Sequence, residues 1–295
     1  GSIRIPAAFC GAVGLKATWG RISEAGAFPL CWSVAHVGPI AASAADCLLA
    51  YAVMAGPDPK DPHTALQPPL SDPTTWGSAG IDGMKIGIFR PWFEDADPDV
   101  VRSCSVLLEA FEKQGARVVE IEIPDLDLAR VAHLVTIVSE MATSIEPHYP
   151  AHRFDFGLDV RSNLMIAFQL TNRDYVKAQQ IRTRVVRHLA RLFEQVDLIV
   201  TPTTGCTAPV IRSDALRYGE SDLPLLSKVM RFAFLANLTG SPAISFPAGH
   251  DAKGLPVGLQ AIAPPWEEER LFRLAFAAEQ TVERQPPKRH FPLLR

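Results

Sequence analysis

The middle of the chain alternates between short apolar runs and one strongly amphipathic stretch. Residues 85–89 form an apolar run that predicts a strand. Asp97-Pro98 then begins a predicted helix, which carries apolar side chains at positions 101, 104, 108 and 111 and ends at Gly115. Residues 117–123 alternate apolar and polar positions, as a strand with one buried face does. This strand–helix–strand order indicates an α/β architecture.

Other periodic segments predict further elements around this unit. Helices are predicted over 44–55, 172–195, 227–238 and 267–283, and strands over 198–201, 243–246 and 257–262. Ser43 is the predicted N-cap of the first of these helices, with Asp46 three residues later. Residues 57–80 contain six prolines and predict a surface excursion. We therefore predict a mixed β-sheet core flanked by helices, with residues 1–295 in one domain and no internal boundary.

The opening stretch, residues 1–21, places a polar group in apolar surroundings. Arg4 lies between Ile3 and Ile5, and Pro6 begins a short run rich in alanine and glycine. An unpaired charge in an apolar site is costly, so a buried Arg4 needs a hydrogen-bonding partner or a functional role. The small residues allow backbones to approach each other closely. These features alone do not identify a reaction.

Composition narrows the classes of function. The 295 residues are 47% hydrophobic and 21% charged, as in ordinary globular proteins. The net charge of −3 gives no electrostatic reason to expect a nucleic-acid partner. Five widely spaced cysteines without a Cys-x-x-Cys indicate buried thiols in a reducing compartment, not a disulfide framework or a zinc site. The chain has no run of about eighteen uncharged apolar residues, so a transmembrane helix is not predicted.

Residues 1–21 also form a long run of unusual residue types, Gly-Ser-Ile-Arg-Ile-Pro-Ala-Ala-Phe-Cys-Gly-Ala-Val-Gly-Leu-Lys-Ala-Thr-Trp-Gly-Arg. This run resembles the second half of the signature of the amidase signature family. The resemblance implies that Ser2 is the acylated nucleophile and that Gly1 ends the turn whose backbone N–H groups form the oxyanion hole. It also implies that Arg4 holds the nucleophile loop by hydrogen bonds. A cloning scar would explain Gly1 and Ser2 alone, but not the nineteen matching residues that follow them.

The resemblance further implies a lysine that acts as base when neutral and a bridging serine, both preceding the nucleophile along the chain. Lys16 matches a different, structural position of the signature. We therefore expect these 295 residues to be the C-terminal portion of an amidase signature domain whose N-terminal part is missing. Without its activators Ser2 is expected to be inactive or nearly so. The alternative for Ser2 is that removal of Gly1 leaves it as an N-terminal serine, which then uses its own α-amine as base. The resemblance implies neither a metal nor an organic cofactor.

The C-terminal third resembles the same family independently, over residues 197–203, 236–245 and 254–260. Within the family, resemblance to the plant fatty acid amide hydrolases rests on residues 3–8, residues 201–211, Asp214-Ala215-Leu216, Gly219-Glu220 and Met230-Arg231-Phe232. It implies hydrolysis of linear amides, with fatty acid amides such as N-acylethanolamines as substrates. An intracellular protein is expected, cytoplasmic or peripheral on an internal membrane, with a homodimer as a candidate assembly.

Three alternatives to that function stay open. They are an amidase of small amides, a glutamyl-tRNA amidotransferase A-type subunit, and a non-catalytic binding or scaffold protein descended from an amidase. Lys16-Ala17-Thr18 stands where the amidotransferase subunits usually carry Lys-Pro-Thr, which favours the hydrolase. The scaffold hypothesis draws its support from the expected lack of activating residues.

Three further patterns each have a functional and an ordinary interpretation. His148 and His152 are four residues apart, but Pro150 interrupts a helical metal-binding face, so surface histidines are favoured. A basic stripe on the predicted helix 172–195 would suit anionic lipid, and a solvated face is favoured. It consists of Lys177, Arg184, Arg187 and Arg191. An apolar group would suit an acyl-chain channel, and core packing is favoured. It consists of Met230, Phe232, Phe234 and Leu235.

Overall fold

The computed structural model describes residues 1–28, 30–210, 222–283 and 285. The strands are β1 Val13–Lys16, β2 Ile40–Ala41, β3 Lys85–Ile88, β4 Arg117–Glu120, β5 Leu198–Pro202, β6 Ala243–His250 and β7 Pro256–Ile262. The longer helices are α1 Arg4–Cys10, α2 Ala44–Met54, α4 Pro98–Lys113, α5 Leu126–Ile145, α7 Leu158–Ala167, α8 Asn172–Leu192 and α11 Glu268–Glu279. Shorter helices are α3 Arg90–Phe93, α6 Tyr149–His152, α9 Leu223–Val229 and α10 Phe234–Thr239.

Within these described ranges the strands form one mixed sheet in the order β2-β1-β6-β7-β5-β3-β4. β3 pairs in parallel with both β4 and β5, and the other pairs are antiparallel. The predicted strand–helix–strand unit is present as β3, α4 and β4, and its strands lie side by side because α4 returns the chain across the sheet. The predicted α/β fold with a mixed sheet flanked by helices is confirmed.

Alternation along the strands divides the core between the two faces of the sheet. In β5, Leu198 and Val200 belong to the apolar cluster packed with α2, α4 and α11, whereas Ile199 belongs to the cluster packed with α5, α8 and α10. β6 divides in the same way, with Ile244 in the first cluster and Ala243 in the second. Because successive strand side chains point to opposite faces, one short strand contributes to both layers of core.

The prediction of a single helix over residues 227–238 is wrong. The structure has two helices there, α9 and α10, and the chain turns between them at residues 230–233. The backbone carbonyls of Phe232 and Ala233 at this turn accept hydrogen bonds from the side chains of Gln260 and Arg4. The apolar spacing across the turn suits one continuous helix, but these distant polar partners bind the carbonyls at the break.

Several element boundaries also differ from the sequence predictions. β4 ends at Glu120 instead of continuing to 123, α8 ends at Leu192, and α11 ends at Glu279. Helix α1 and strand β1 correspond to no predicted element. The N-cap prediction is confirmed, since the Ser43 side chain accepts a hydrogen bond from the Asp46 backbone N–H at 3.0 Å. Residues 211–221, which include Asp214-Ala215-Leu216 and Gly219-Glu220, lie outside the described residues.

Helix α5 is long and apolar enough to cross a membrane by length and composition, and it is the only such helix among the described residues. Half of its most apolar window is buried inside the protein. Its buried Ala129 and Ala132 belong to the cluster that α8 and α10 also build, and its buried Val138, Met141 and Ile145 belong to a smaller cluster with α7. This packing is that of a core helix.

The apolar group at 230–235 divides between core and cavity. Phe232, Phe234 and Leu235 are fully or almost fully buried and pack in the core with Trp92. The favoured core interpretation is therefore confirmed for these three side chains. Met230 instead lines the cavity described below.

Candidate active site

Helix α1 carries the candidate nucleophile at its start. Ser2 is exposed just before the first helical residue, and the Gly1 carbonyl accepts a hydrogen bond from the Ile5 N–H at 2.9 Å. α1 lies flat on the sheet because small residues face it. A Cβ at Gly258 of β7 would come within 2.6 Å of the Ala8 Cβ, and one at Gly14 of β1 within 2.7 Å of Ala7. The glycines and alanines of the opening run thus fix the height of Ser2 above the sheet.

Arg4 is completely buried and has the partners that its apolar neighbours required. Its guanidinium donates to the Gln260 side-chain oxygen, to the Ala233 carbonyl at 2.9 Å, and to the Asn237 side-chain oxygen at 2.5 Å. Burial lowers the pKa of Arg4 to about 10, which leaves the group charged at neutral pH. Gln260 in turn donates to the Thr201 hydroxyl at 2.8 Å and to the Phe232 carbonyl at 2.7 Å. Arg4 therefore joins the start of α1 to β7 and to α10.

A cavity of about 150 Å³ opens beside Ser2. Gly1, Ser2 and Lys16 line one side, and Met230 and Asn237 contribute to another. Helix α5 contributes His133 and Ile137. Another wall comes from Leu30, Cys31, Val34, Ala35 and His36, in the chain between β1 and β2. We call residues 31–37 of this connection the cavity loop. Most of the aliphatic lining therefore comes from elements distant in sequence from Ser2.

Lys16 lies on this cavity wall, although the sequence indicated only a structural role. Its Nζ donates to the Ala17 carbonyl at 2.9 Å and lies 3.3 Å from His36 Nε2. Burial, and then the charge of Arg4, holds the pKa of Lys16 well below its usual value. Burial and the neighbouring Lys16 likewise lower the pKa of His36. The sequence signal that could have located Lys16 is its position as the last residue of a buried strand.

Burial also shifts the pKa of two further titratable groups of the cavity. Burial lowers the pKa of His133 to about 4 and raises the pKa of the Cys31 thiol to about 12. Burial thus disfavours the charged forms of the ionisable side chains around the cavity. The assignments of Ser2 as nucleophile and Gly1 as the end of the oxyanion turn stay predictions.

The other candidate patterns lie away from this cavity. Among the residues that the structure describes, no three His, Cys, Asp or Glu side chains form a group that could hold a metal ion. His152 pairs with Asp155 at 2.9 Å, whereas the His148 ring lies against Phe28. The basic stripe of α8 is exposed, and its Arg184 pairs with Asp125 at 2.6 Å.

Comparison with known proteins places this geometry in a family. The Amidase family model matches residues 1–272. The chain is 41% identical over 286 residues to the fatty acid amide hydrolase of Oryza sativa subsp. indica, covering 95% of this chain and 47% of the rice protein. It is 34% identical to the A-type subunit of the glutamyl-tRNA(Gln) amidotransferase of Geobacter metallireducens, covering 96% of this chain and 62% of that protein.

A solved structure shares the fold. It is described as a vestigial protein complex that reveals the evolutionary origins of an s-triazine catabolic enzyme, and it superimposes with a TM-score of 0.84 at 28% identity. The superposition covers 95% of this chain and 60% of that one. The chain thus spans about half the length of the plant relatives that it matches. Since the family model covers residues 1–272, most of the chain, this chain belongs to the amidase family.

Proposed function

We propose that the whole protein hydrolyses linear amides through an acyl-serine intermediate on Ser2, and that its substrates are fatty acid amides such as N-acylethanolamines. The observation that carries this proposal is the position of Ser2 at the start of α1, against a small, largely aliphatic cavity. Identity of 41% to a plant fatty acid amide hydrolase supports the lipid substrate. Identity of 34% to an amidotransferase protein keeps a second candidate, transfer chemistry on a small amide.

In the proposed reaction, the Ser2 hydroxyl oxygen bonds to the amide carbonyl carbon while its proton passes to a base. Backbone N–H groups at the turn ending in Gly1 stabilise the resulting oxyanion. The C–N bond then breaks, and the amine leaves with a proton. Water hydrolyses the acyl ester and regenerates Ser2. The base and the bridging serine that the resemblance implies stay a prediction for the whole protein.

Arg4 takes a supporting part in this scheme. Its hydrogen bonds to Ala233 and Asn237 fix the first turn of α1 and leave Ser2 at the cavity edge. The Arg4 side chain does not line the cavity. Its guanidinium donates to oxygens of Gln260, Ala233 and Asn237. Arg4 is thus a positioning residue in the proposed reaction.

Met230 offers a test of the acyl-chain cavity. We expect Met230→Trp to lower kcat/KM for a long-chain N-acylethanolamine by about tenfold relative to a short-chain amide, because the indole fills aliphatic space. The measurement is the ratio of the two kcat/KM values. Leu66→Trp, at a side chain that is 94% exposed, is the matched control and should leave the ratio unchanged. An equal loss for both substrates would contradict an acyl chain in this cavity.

Peripheral contact with a membrane is part of the same proposal. Large apolar side chains are exposed along one stretch around α6 and α7, residues 154–168, and include Phe154, Met165 and Phe168. Exposed apolar groups of this kind suit insertion into the interfacial region of a bilayer. Contact with the membrane would bring the protein close to a lipid substrate. The intracellular location, cytoplasmic or on an internal membrane, and the homodimer belong to the proposal as well.

Vesicle binding tests this contact. We expect Met165→Ser combined with Phe168→Ser to reduce co-sedimentation with phosphatidylcholine vesicles by at least about half, since two inserted side chains are lost. Val53→Ser combined with Leu66→Ser removes two exposed apolar side chains elsewhere and serves as the control. Equal co-sedimentation of both double variants would reject residues 154–168 as the membrane contact.

A further inference from the structure

The cavity loop has little regular structure of its own, yet it forms one wall beside Ser2. Its residues Cys31, Val34 and His36 all line the cavity. A wall without a helix or strand keeps its shape only if other elements hold its polar groups. The contacts made by the loop therefore bear on the shape of the cavity.

Two long helices hold the centre of the cavity loop through Ser33. The Ser33 N–H and hydroxyl both donate to the Glu140 carboxylate of α5, at 3.0 Å and 2.6 Å. The Ser33 carbonyl accepts from the Arg182 guanidinium of α8 at 2.8 Å. Every polar group of Ser33 is thus bound by a charged side chain that lies more than a hundred residues away in sequence.

Glu140 is suited to this task because its carboxylate is buried and accepts three hydrogen bonds. Its side chain is almost inaccessible to solvent, and the Tyr175 hydroxyl of α8 donates a third hydrogen bond at 2.9 Å. Hydrogen bonds to a buried carboxylate are among the stronger ones in proteins. The carboxylate therefore ties the loop to α5 and α8 at one point.

The same face of α5 carries Glu140 and two side chains of the cavity. His133 and Ile137 line the cavity, and Glu140 follows them at the i+7 and i+3 positions. Residues at this spacing lie along one stripe of a helix. The contact between Glu140 and Ser33 thus sets how far the cavity loop stands from the α5 wall.

We propose that Glu140 is a positioning residue that holds the cavity loop against α5 and so sets the width of the substrate cavity. This inference rests on the proposed amidase function, and it assigns a role in substrate binding and not in bond breaking. Asn237 supplies a second anchor, since its Nδ2 donates to the Val34 carbonyl at 2.8 Å. The loop consequently keeps its position near Val34 when the anchor at Ser33 is weakened.

The test is Glu140→Gln in the full-length protein, with steady-state kinetics on a long-chain N-acylethanolamine. We expect KM to rise about three- to tenfold with kcat changed less than about twofold, since the variant loses ground-state binding only. Hydrogen exchange at the backbone amides of residues 31–37 should become faster. Gln179→Ala is the matched control, because it removes a hydrogen bond between α5 and α8, to Thr136 at 2.9 Å, without contacting the loop.

Each outcome of this test decides the proposal. A raised KM in Glu140→Gln with an unchanged KM in Gln179→Ala supports it. Unchanged exchange over 31–37, or faster exchange without a change in KM, overturns it. Ser33→Ala loses only the hydroxyl contact and supplies the same test, with a smaller KM increase, if Glu140→Gln does not fold. Hydrolysis that survives Ser2→Ala would reject the proposed function, while the exchange data would still report on the loop.

Discussion

In the full-length protein, Ser2→Ala is expected to abolish labelling by a fluorophosphonate probe and to reduce amide hydrolysis by at least about a thousandfold. The hydroxyl oxygen is the atom that the proposed reaction acylates, and alanine leaves nothing to replace it. The change is small and lies at an exposed position, so the free energy of unfolding should stay the same. The measurements are probe labelling on a gel and initial rates of amine release.

Two comparisons make this expectation specific. Ser78→Ala, at an exposed serine that hydrogen-bonds the Thr75 carbonyl, should label and hydrolyse as the parent does. A longer form with the upstream sequence of the gene should label more strongly than residues 1–295 if activators precede Ser2. Strong Ser2-dependent labelling of residues 1–295 themselves would instead reveal a base within them. Full activity in Ser2→Ala would refute the acyl-serine mechanism.

Arg4→Ala is expected to lower the free energy of unfolding by about 3–5 kcal/mol, the largest loss of stability among the changes considered. Truncation leaves three oxygens without their donor, on the buried Gln260 and Ala233 and on the half-buried Asn237. It also opens a space beneath the first turn of α1. Urea unfolding, followed by far-UV circular dichroism, measures the change.

Conservative and surface variants separate charge from geometry at this position. Arg4→Lys keeps the charge but cannot reach three acceptors with one ammonium group, so we expect it to lose part of the stability. Arg187→Ala, on the exposed face of α8, should unfold at the parent's urea concentration. An Arg4→Ala protein with unchanged stability would show that Gln260 and Asn237 find other donors. Probe labelling of Arg4→Lys then reports how well Ser2 keeps its position.

One chain of hydrogen bonds joins Arg4 to the cavity loop. The Arg4 guanidinium donates to Asn237 Oδ1, and Asn237 Nδ2 donates to the Val34 carbonyl of the cavity loop. The start of the nucleophile helix and the opposite wall of the cavity therefore share a single amide side chain. Disturbing Arg4 is consequently expected to affect substrate binding as well as stability.

The sequence by itself determined the features that local patterns specify. Apolar periodicity and the Asp97-Pro98 start predicted α4 and its flanking strands, and Ser43 predicted its own capping contact. The position of Arg4 between two isoleucines required a buried partner before any partner was known. The run of small residues around Ser2 carried the family assignment, because close packing of α1 on the sheet restricts those positions to glycine and alanine.

Only the tertiary structure decided which distant groups meet. The partners of Arg4 lie more than two hundred residues away, and the anchor of Ser33 lies on a helix that no local pattern relates to it. The helix predicted over 227–238 is interrupted where Gln260 and Arg4 bind backbone carbonyls. Lys16 reaches the cavity because the order of the strands places β1 next to the cavity. The periodicity of apolar residues shows which side of a helix or strand is buried, and it depends only on that segment. Hydrogen bonds between distant segments depend on the packing of the whole chain, and that packing defines the cavity beside Ser2.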